Sequence, residues 1–493
     1  MTASMKYVPT IGLEIHIELA TRSKMFCGCK NDSDETKPNT NVCPVCLGHP
    51  GTLPTINREA IENVIRLGYA LHGSVAATSH FDRKSYFYPD LPKGYQISQF
   101  EEPLVRGGEL CGIHIRRIHL EEDTGRLLHE LPGGGKAEDA SFVDFNRAGV
   151  PLMELVTDPD IRDGETAVRF ARELQRVLRY LGLSGANMEK GEMRVEANIS
   201  IAPEEESEGL SGEPVLGTKV EVKNLNSFRS VGDAIEYEIK RQERVLRGGN
   251  AVVQETRGWN EKQGETESQR SKESAHDYRY FPEPDLPPLI LAELFDLASL
   301  KNGIPELPEE KRKRLQGDLG LSEEQAHFLS ENAAAAAFFE ASVSELQTMV
   351  DPAPITLLFN YYASDLQGLL KKKGTDSATT SVRPEHLAHL IALIHRKELS
   401  SRLAKDVLER MVETGEDLEA IIRDGGVRVM RDTDALKAVA KNILAQEPKA
   451  AEDFRNGKVN ALQFLVGKGM AETKGQADPD ELRSAFQELI GKR

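Results

Sequence analysis

The sequence predicts an α+β fold: an antiparallel-sheet domain carrying a zinc-binding insertion, followed by an all-helical domain and a helical tail. Three observations predict it. Several N-terminal segments alternate apolar and polar residues, the period of a half-buried strand. Helical three-to-four spacing interrupts these segments and takes over entirely after the proline-rich run 281–288. Four of the five cysteines crowd into positions 27–46, which in a chain of 493 residues suits a metal site rather than a disulfide framework.

The first strand is read from Ile11, Leu13, Ile15, Ile17 and Leu19, which leave Glu14, His16 and Glu18 on the opposite face. Cys27-x-Cys29 and Cys43-Pro-Val-Cys46 follow, two close pairs that suit a tetrahedral all-thiolate zinc site. Redox chemistry at Cys43-x-x-Cys46 is the alternative, and it leaves Cys27 and Cys29 without a role. Lone Cys111 reads as a small hydrophobe. Helices are expected at 58–71, 165–181 and 231–246, and further strands at 113–120, 193–199 and around Val220 and Val222. Gly133-Gly134-Gly135-Lys136 lacks the remaining residues of a phosphate loop and reads as a turn. The domain limits are placed at 1–294, 295–412 and 413–493. The polar run 371–384 is taken as an exposed connection, and a break near 415–426 precedes the tail.

Composition narrows the function. A balance of 79 Asp+Glu against 62 Lys+Arg, net charge −17, argues against a general basic coat for nucleic acid while leaving room for a local patch. No apolar run reaches the length of a membrane span, and the N-terminus has no apolar or Arg-rich leader pattern, so a cytoplasmic protein with no membrane partner is expected. No nucleophilic serine signature or Cys/His pair is evident, so acyl or phosphoryl chemistry would be metal-assisted. Glu14 and His16 project from one strand face, His119, Glu121, Glu122 and Asp123 end another strand, and Glu154 lies just after Asp144-Phe-Asn146-Arg147. Carboxylates with an imidazole suit Mg²⁺ or Mn²⁺. Each of these residues taken singly is an ordinary solvated strand-face group. The segment 82–99 interleaves Arg83, Lys84 and Lys93 with Tyr86, Phe87, Tyr88 and Tyr95, a mixture able to pair phosphates and stack bases at a single-stranded nucleotide end.

The words IGLEIHIEL, CPVCLGHPGTLP, DRKSYFYPDLPKGYQISQ, HLEEDTGR, VDFNRAGVPLMELV, VKNLNSFR, HDYRYFPEPDLPPL and FLVGKGMAETKGQADP run in order along nearly the whole chain. Through them the sequence resembles the B subunits of the glutamyl/aspartyl-tRNA amidotransferases (GatB). The resemblance implies a cradle-shaped catalytic domain, a helical domain and a tRNA-binding tail. It implies ATP-dependent phosphorylation of the side-chain carboxylate of misacylated Glu-tRNA(Gln) or Asp-tRNA(Asn). Ammonia from the amidase/glutaminase partner, the A chain of the complex, then displaces the phosphate. A small C chain completes the heterotrimer, and the non-discriminating aminoacyl-tRNA synthetase is a further candidate partner.

Residue by residue, the resemblance raises Glu14, His16, Glu122 and Glu154 to magnesium ligands, with Glu121 the alternative to Glu122. Strand parity puts Glu122 on the side of Ile118 and Leu120, so a bulge would be needed to aim it. Lys84 and Tyr86, with Asn146 and Arg147, become candidates for the acceptor end or ATP, and Cys27, Cys29, Cys43 and Cys46 match the zinc-bearing branch. Gly467-Lys468-Gly469 departs from the Gly-Gln-Val expected there, which reads as a helix-surface change. In the tail, Arg455, Lys458, Lys468 and Lys474 are expected to face only Glu472, leaving Lys468 and Lys474 for phosphate. Asp478-Pro479 reads as an N-cap and first-turn proline. A non-catalytic zinc-containing RNA-binding protein is the competing reading, and an intact Glu14, His16, Glu122 and Glu154 set weighs against it.

Overall fold

The computed structural model describes residues 6–128, 140–204, 216–271, 278–425, 433–473 and 476–491. Gly133–Lys136, Lys474 and Gly475 lie outside the described residues, as does part of the break near 415–426. The chain divides into two units, Met1–Pro308 and Glu309–Arg493.

In the first unit the strand Tyr7–Glu18 is the middle of a ten-stranded sheet. It pairs antiparallel with Pro151–Thr157 on one side and with Met193–Pro203 on the other. Beyond Pro151–Thr157 lies Ile113–Glu122, and beyond Met193–Pro203 lies Val220–Leu225. One pair departs from the antiparallel expectation: Val220–Leu225 runs parallel to Glu255–Asn260, with the helix Phe228–Arg247 supplying the connection that a parallel pair requires. The alternation read from the sequence holds. Ile11, Leu13, Ile15 and Ile17 are fully buried against Phe170, Leu174 and Val177 of the helix Gly164–Tyr180 and Val231, Ala234 and Ile235 of Phe228–Arg247. Each such side chain contributes about 1.5–3 kcal/mol. The expected helices are present within a few residues, each starting on a side-chain cap: Asn57 for Arg58–Ala70, Asp163 for Gly164–Tyr180 and Ser227 for Phe228–Arg247. Cys111 is half-buried against the same core.

This core extends past residue 294. Phe295 is buried with the guanidinium of Arg58 4.4 Å above its ring, and Leu297, Leu300, Ile304 and Leu307 pack beside it. The first unit therefore runs to residue 308, because the helical pattern there belongs to short helices that complete the sheet domain's core.

The second unit holds two apolar cores. One spans Leu315 to Ile421 and includes residues on both sides of 371–384, so that polar run is a turn inside one helical body. Leu418 and Ile421 belong to this core, which carries it beyond the expected limit at 412. The last core is formed by the helices Thr433–Gln446, Pro448–Arg455, Val459–Glu472 and Pro479–Gly491. Asp478 caps the final helix as expected, its carboxylate accepting from the amides of Asp480 and Glu481. Gly469, read as a surface position, is instead buried. A Cβ there would stand 2.8 Å from Leu482 Cδ2 and 3.5 Å from Ile443 Cδ1, so a larger residue would force the Leu482 side chain to move. Gly469→Val should destabilise this body by about 1–3 kcal/mol through overpacking, seen as a lower urea midpoint with an unchanged first-unit transition.

Candidate active site

Because the apolar residues of the central strand face the helices, its polar residues share the other face of the sheet with those of its neighbours. The register sets them in a row: His16 is opposite Glu154 on one side and Arg194 on the other, and Glu154 is opposite His119. His16 Nε2 lies 3.5 Å from Glu154 Oε2 and 3.7 Å from Glu121 Oε1, and His119 Nε2 lies 3.4 Å from the same Glu154 oxygen. Glu14, one residue pair along, stands opposite Val156 and Glu196.

Ligand atoms of Glu14, His16 and Glu154 come within 4.8 Å of one another, and so do those of His119, Glu121 and Glu154. The two triads share Glu154. An oxygen-rich set with imidazole fits a hard divalent cation, Mg²⁺ or Mn²⁺.

Glu122 is the expected ligand that the structure does not bring to this cluster. The strand Ile113–Glu122 keeps its alternation to the end, and the irregularity in this pair lies at Val156/Thr157 instead. With no bulge to turn it, the Glu122 carboxylate faces away, where it pairs with Lys93 and accepts from the Ile97 amide at 3.0 Å. Glu121 takes the place expected for Glu122.

Lys84 is held by the strand Asp82–Ser85, its Nζ 5.0 Å from the Tyr278 ring centre. Although burial opposes its charge, Glu121, with Glu154 among the other neighbours, holds the ammonium well above its ordinary pKa. Tyr86 stacks on Tyr88 and meets Tyr278 edge-on. Tyr278 in turn meets Tyr280, which stacks 4.2 Å from Phe100. The sequence alone gives Tyr278 and Tyr280 no role, although HDYRYFP repeats the basic-aromatic interleaving of 82–99.

Asn146 and Arg147 make contacts within the chain. Asn146 is buried, its amide oxygen accepting from Thr40 and Asn41 and its nitrogen donating to Lys37. Arg147 pairs with Glu18 and, at 3.0 Å, with Asp123, which also binds Arg194 at 3.0 Å. This second network continues the polar row beyond His16. Although Asp123 is fully buried, Arg194 and Arg147 pull it down to about 2, whereas burial and repulsion from Asp123 raise Glu18 to about 7.

The cysteine quartet stands as a separate centre. All four sulfurs lie within 4.8 Å of one another, and Cys43 and Cys46 are 3.9 Å apart. Four ligands about 2.3 Å from one ion would sit about 3.8 Å apart, so the donor set fits a tetrahedral thiophilic metal. None of the four is in a disulfide. Hydrogen bonding to Cys27 draws the Cys46 thiol down to about 5 despite burial, with Lys24 assisting.

In the tail, Lys468 pairs with Glu447 at 3.0 Å and Lys458 with Asp453 at 2.9 Å. The expectation that these cations face only Glu472 is thus overturned: helix packing brings Glu447 to Lys468 from another helix, and the turn after Pro448–Arg455 brings Lys458 back to Asp453 five residues before it. Lys468 remains half-exposed.

The geometry defines a sheet protein with a carboxylate-imidazole centre on one sheet face, and sequence relatives give the family. Residues 9–295 match the GatB/GatE catalytic domain and residues 337–490 the GatB domain. Relatives named as the B subunit of aspartyl/glutamyl-tRNA(Asn/Gln) amidotransferase include one from Thermoanaerobacter sp. (strain X514), 43% identical over 99% of this chain and 100% of its own. Those from Thermomicrobium roseum and Thermus thermophilus are each 45% identical, covering 99% and 98% of this chain and 99% of their own. The chain belongs to the GatB family of tRNA amidotransferase subunits. Among the described residues no helix is long and apolar enough to cross a membrane.

The electrostatics carry a pH prediction. Burial and the Glu154 charge raise Glu14 to about 7. Burial alone would lower His16, but the hydrogen bond and charge of Glu154, with Glu121, raise it to about 9. Glu154 itself stays well below the carboxylate range against its burial, held there by His119 and then His16. Without metal, Glu14 is half-protonated near neutral pH and His16 is protonated. Glu14's raised value favours the metal-free fold below pH 4.5, and that contribution is lost as pH rises through about 7. A cation must displace these protons, so Mn²⁺ should bind about tenfold more tightly at pH 8 than at pH 6 from Glu14 alone. Titration calorimetry in buffers of different ionisation enthalpy should register proton release.

Proposed function

We propose that this chain is the ATP-dependent transamidase component of a glutamine-dependent tRNA amidotransferase, acting on Glu-tRNA(Gln), Asp-tRNA(Asn) or both. The observation that carries the reading is the convergence of Glu14, His16, Glu121 and Glu154 on one sheet face with Lys84 held among them. The side-chain carboxylate of the misacylated tRNA attacks the γ-phosphorus of ATP and ADP departs. Ammonia released by the glutaminase partner, the A chain, then displaces phosphate from the acyl phosphate to leave the amide. The small C chain completes the heterotrimer, and the synthetase that supplies the misacylated tRNA is a further partner. The names of the relatives support the tRNA amidotransferase setting, in which a cytoplasmic location is natural.

Glu14, His16, Glu154 and Glu121 would hold Mg²⁺, which supplies charge neutralisation for the phosphate oxygens. Lys84 offers a cation to the phosphate or to the attacking carboxylate. Before metal binds, His16 and His119 keep Glu154 ionised and therefore able to accept it. The rings of Tyr86, Tyr278 and Tyr280 offer stacking faces for the single-stranded acceptor end. The quartet Cys27, Cys29, Cys43 and Cys46 would hold zinc as a structural ion. The final helical body, with half-exposed Lys468, would contact tRNA away from the acceptor end. Lys474 joins Lys468 in this proposal on sequence grounds.

Two experiments test this. In the assembled heterotrimer, Glu14→Ala and Glu121→Gln should each abolish tRNA-dependent ATP cleavage and lower amide formation at least ~100-fold, while the partner's glutamine hydrolysis persists. Normal amide formation with ammonia as donor in either variant would place the chemistry elsewhere. Removing residues 433–493, a cut that spares the core containing Leu418 and Ile421, should raise the KM for aminoacyl-tRNA. Lys468→Glu should act in the same direction with a shallower salt dependence.

A further inference from the structure

Lys24 is one of the most deeply buried charged residues of the chain, 1% exposed. Its ammonium donates to the carbonyls of Ala148 at 2.7 Å and Phe145 at 3.2 Å and lies 3.9 Å from Cys46 Sγ. Two carbonyl dipoles satisfy two of its three protons and do not neutralise its charge, and a buried cation without an anion is strongly unfavourable. Among the described residues no carboxylate pairs with Lys24, so the anion facing it is the sulfur cluster. Four thiolates around a dication carry two net negative charges, and these have the same need of a buried counter-charge.

The carbonyls that Lys24 grips belong to the turn that carries Arg147. The turn is clasped from the cysteine insertion at several further points. Asn39 donates to Val143 O and accepts from Phe145 N, Asn146 receives Thr40 and Asn41, and Met25 N donates to Gly149 O at 2.7 Å. Gly149 has φ +86°, and a Cβ there would lie 3.5 Å from Cys46 and 3.6 Å from Lys24, so the turn is laid directly on the metal centre. On its other side Arg147 binds Glu18 and Asp123, the network adjoining His16 and Arg194.

We infer that Lys24 is the buried counter-cation of the metal-loaded tetrathiolate, and that through the turn 145–149 it ties metal occupancy to the placement of Arg147 beside the active site. Lys24 is a positioning residue that touches neither substrate nor the reacting atoms. The inference rests on the reading of the quartet as a zinc site.

The test uses the full-length chain and zinc. Wild type should contain one zinc per chain by metal analysis. Against a chromogenic chelator, Lys24→Met should release zinc 10–100-fold more readily, as loss of an outer partner does elsewhere. Cys29→His removes one thiolate charge while keeping a four-ligand site. In the Lys24→Met background it should restore retention, a non-additive result that a packing role for Lys24 would not produce. If Lys24→Met does not fold, wild type stripped of zinc decides: hydrogen exchange should rise across 143–150 and stay unchanged in 255–260. Absence of zinc from wild type overturns the metal reading and this inference with it. Zinc present in wild type but held equally well by Lys24→Met, additive effects in the double variant, or unchanged exchange at 143–150 overturns the inference alone.

Discussion

Concentrating carboxylates on one buried sheet face is the constraint around which the first unit is arranged. Glu14, Glu121, Glu154 and Glu196 approach one another where desolvation and mutual repulsion both oppose ionisation. The structure answers with cations from separate segments: His16 and His119 from the sheet, Lys84 from the strand Asp82–Ser85, and Lys223, whose Nζ is 2.9 Å from Glu196. The compensation is uneven. Glu154, flanked by two imidazoles, keeps its charge, and Glu14 holds a proton through half the neutral range. That imbalance leaves a centre whose donor set fits a further cation.

The same logic is repeated twice around this centre. Asp123 is shared between Arg147 and Arg194, leaving Glu18 as the carboxylate that is hard to ionise. Farther on, Lys24 faces the cysteine quartet. Each network is anchored on the central strand or on the loops beside it, so one run of twelve residues, Tyr7–Glu18, organises both the apolar core and the polar face. A substitution that shifted its register by one residue would exchange the two faces at once.

Much of this was legible from the chain alone, and the places where it was not are instructive. Parity along 113–122 already set Glu121 with His119 and Glu122 with Leu120. Motif resemblance favoured Glu122, and the structure follows parity because no bulge intervenes. Asn146 and Arg147 lie in a run that reads as a site, yet their partners are Thr40, Asn41, Glu18 and Asp123. Gly469 reads as a surface position because only its neighbour across the helix pair, Leu482, reveals the tight approach.

What the sequence determined by itself was therefore local: the alternating strands, the capped helices, the paired cysteines, and which residues share a strand face. These follow from backbone periodicity and side-chain chemistry within a few residues. The tertiary structure decided which carboxylate joins the centre, that Lys93 faces Glu122, that residues 295–308 complete the first core, and that Glu447 meets Lys468. Those outcomes depend on contacts between segments far apart in the chain, where charge pairing and close packing act through space and leave no periodic trace in the sequence.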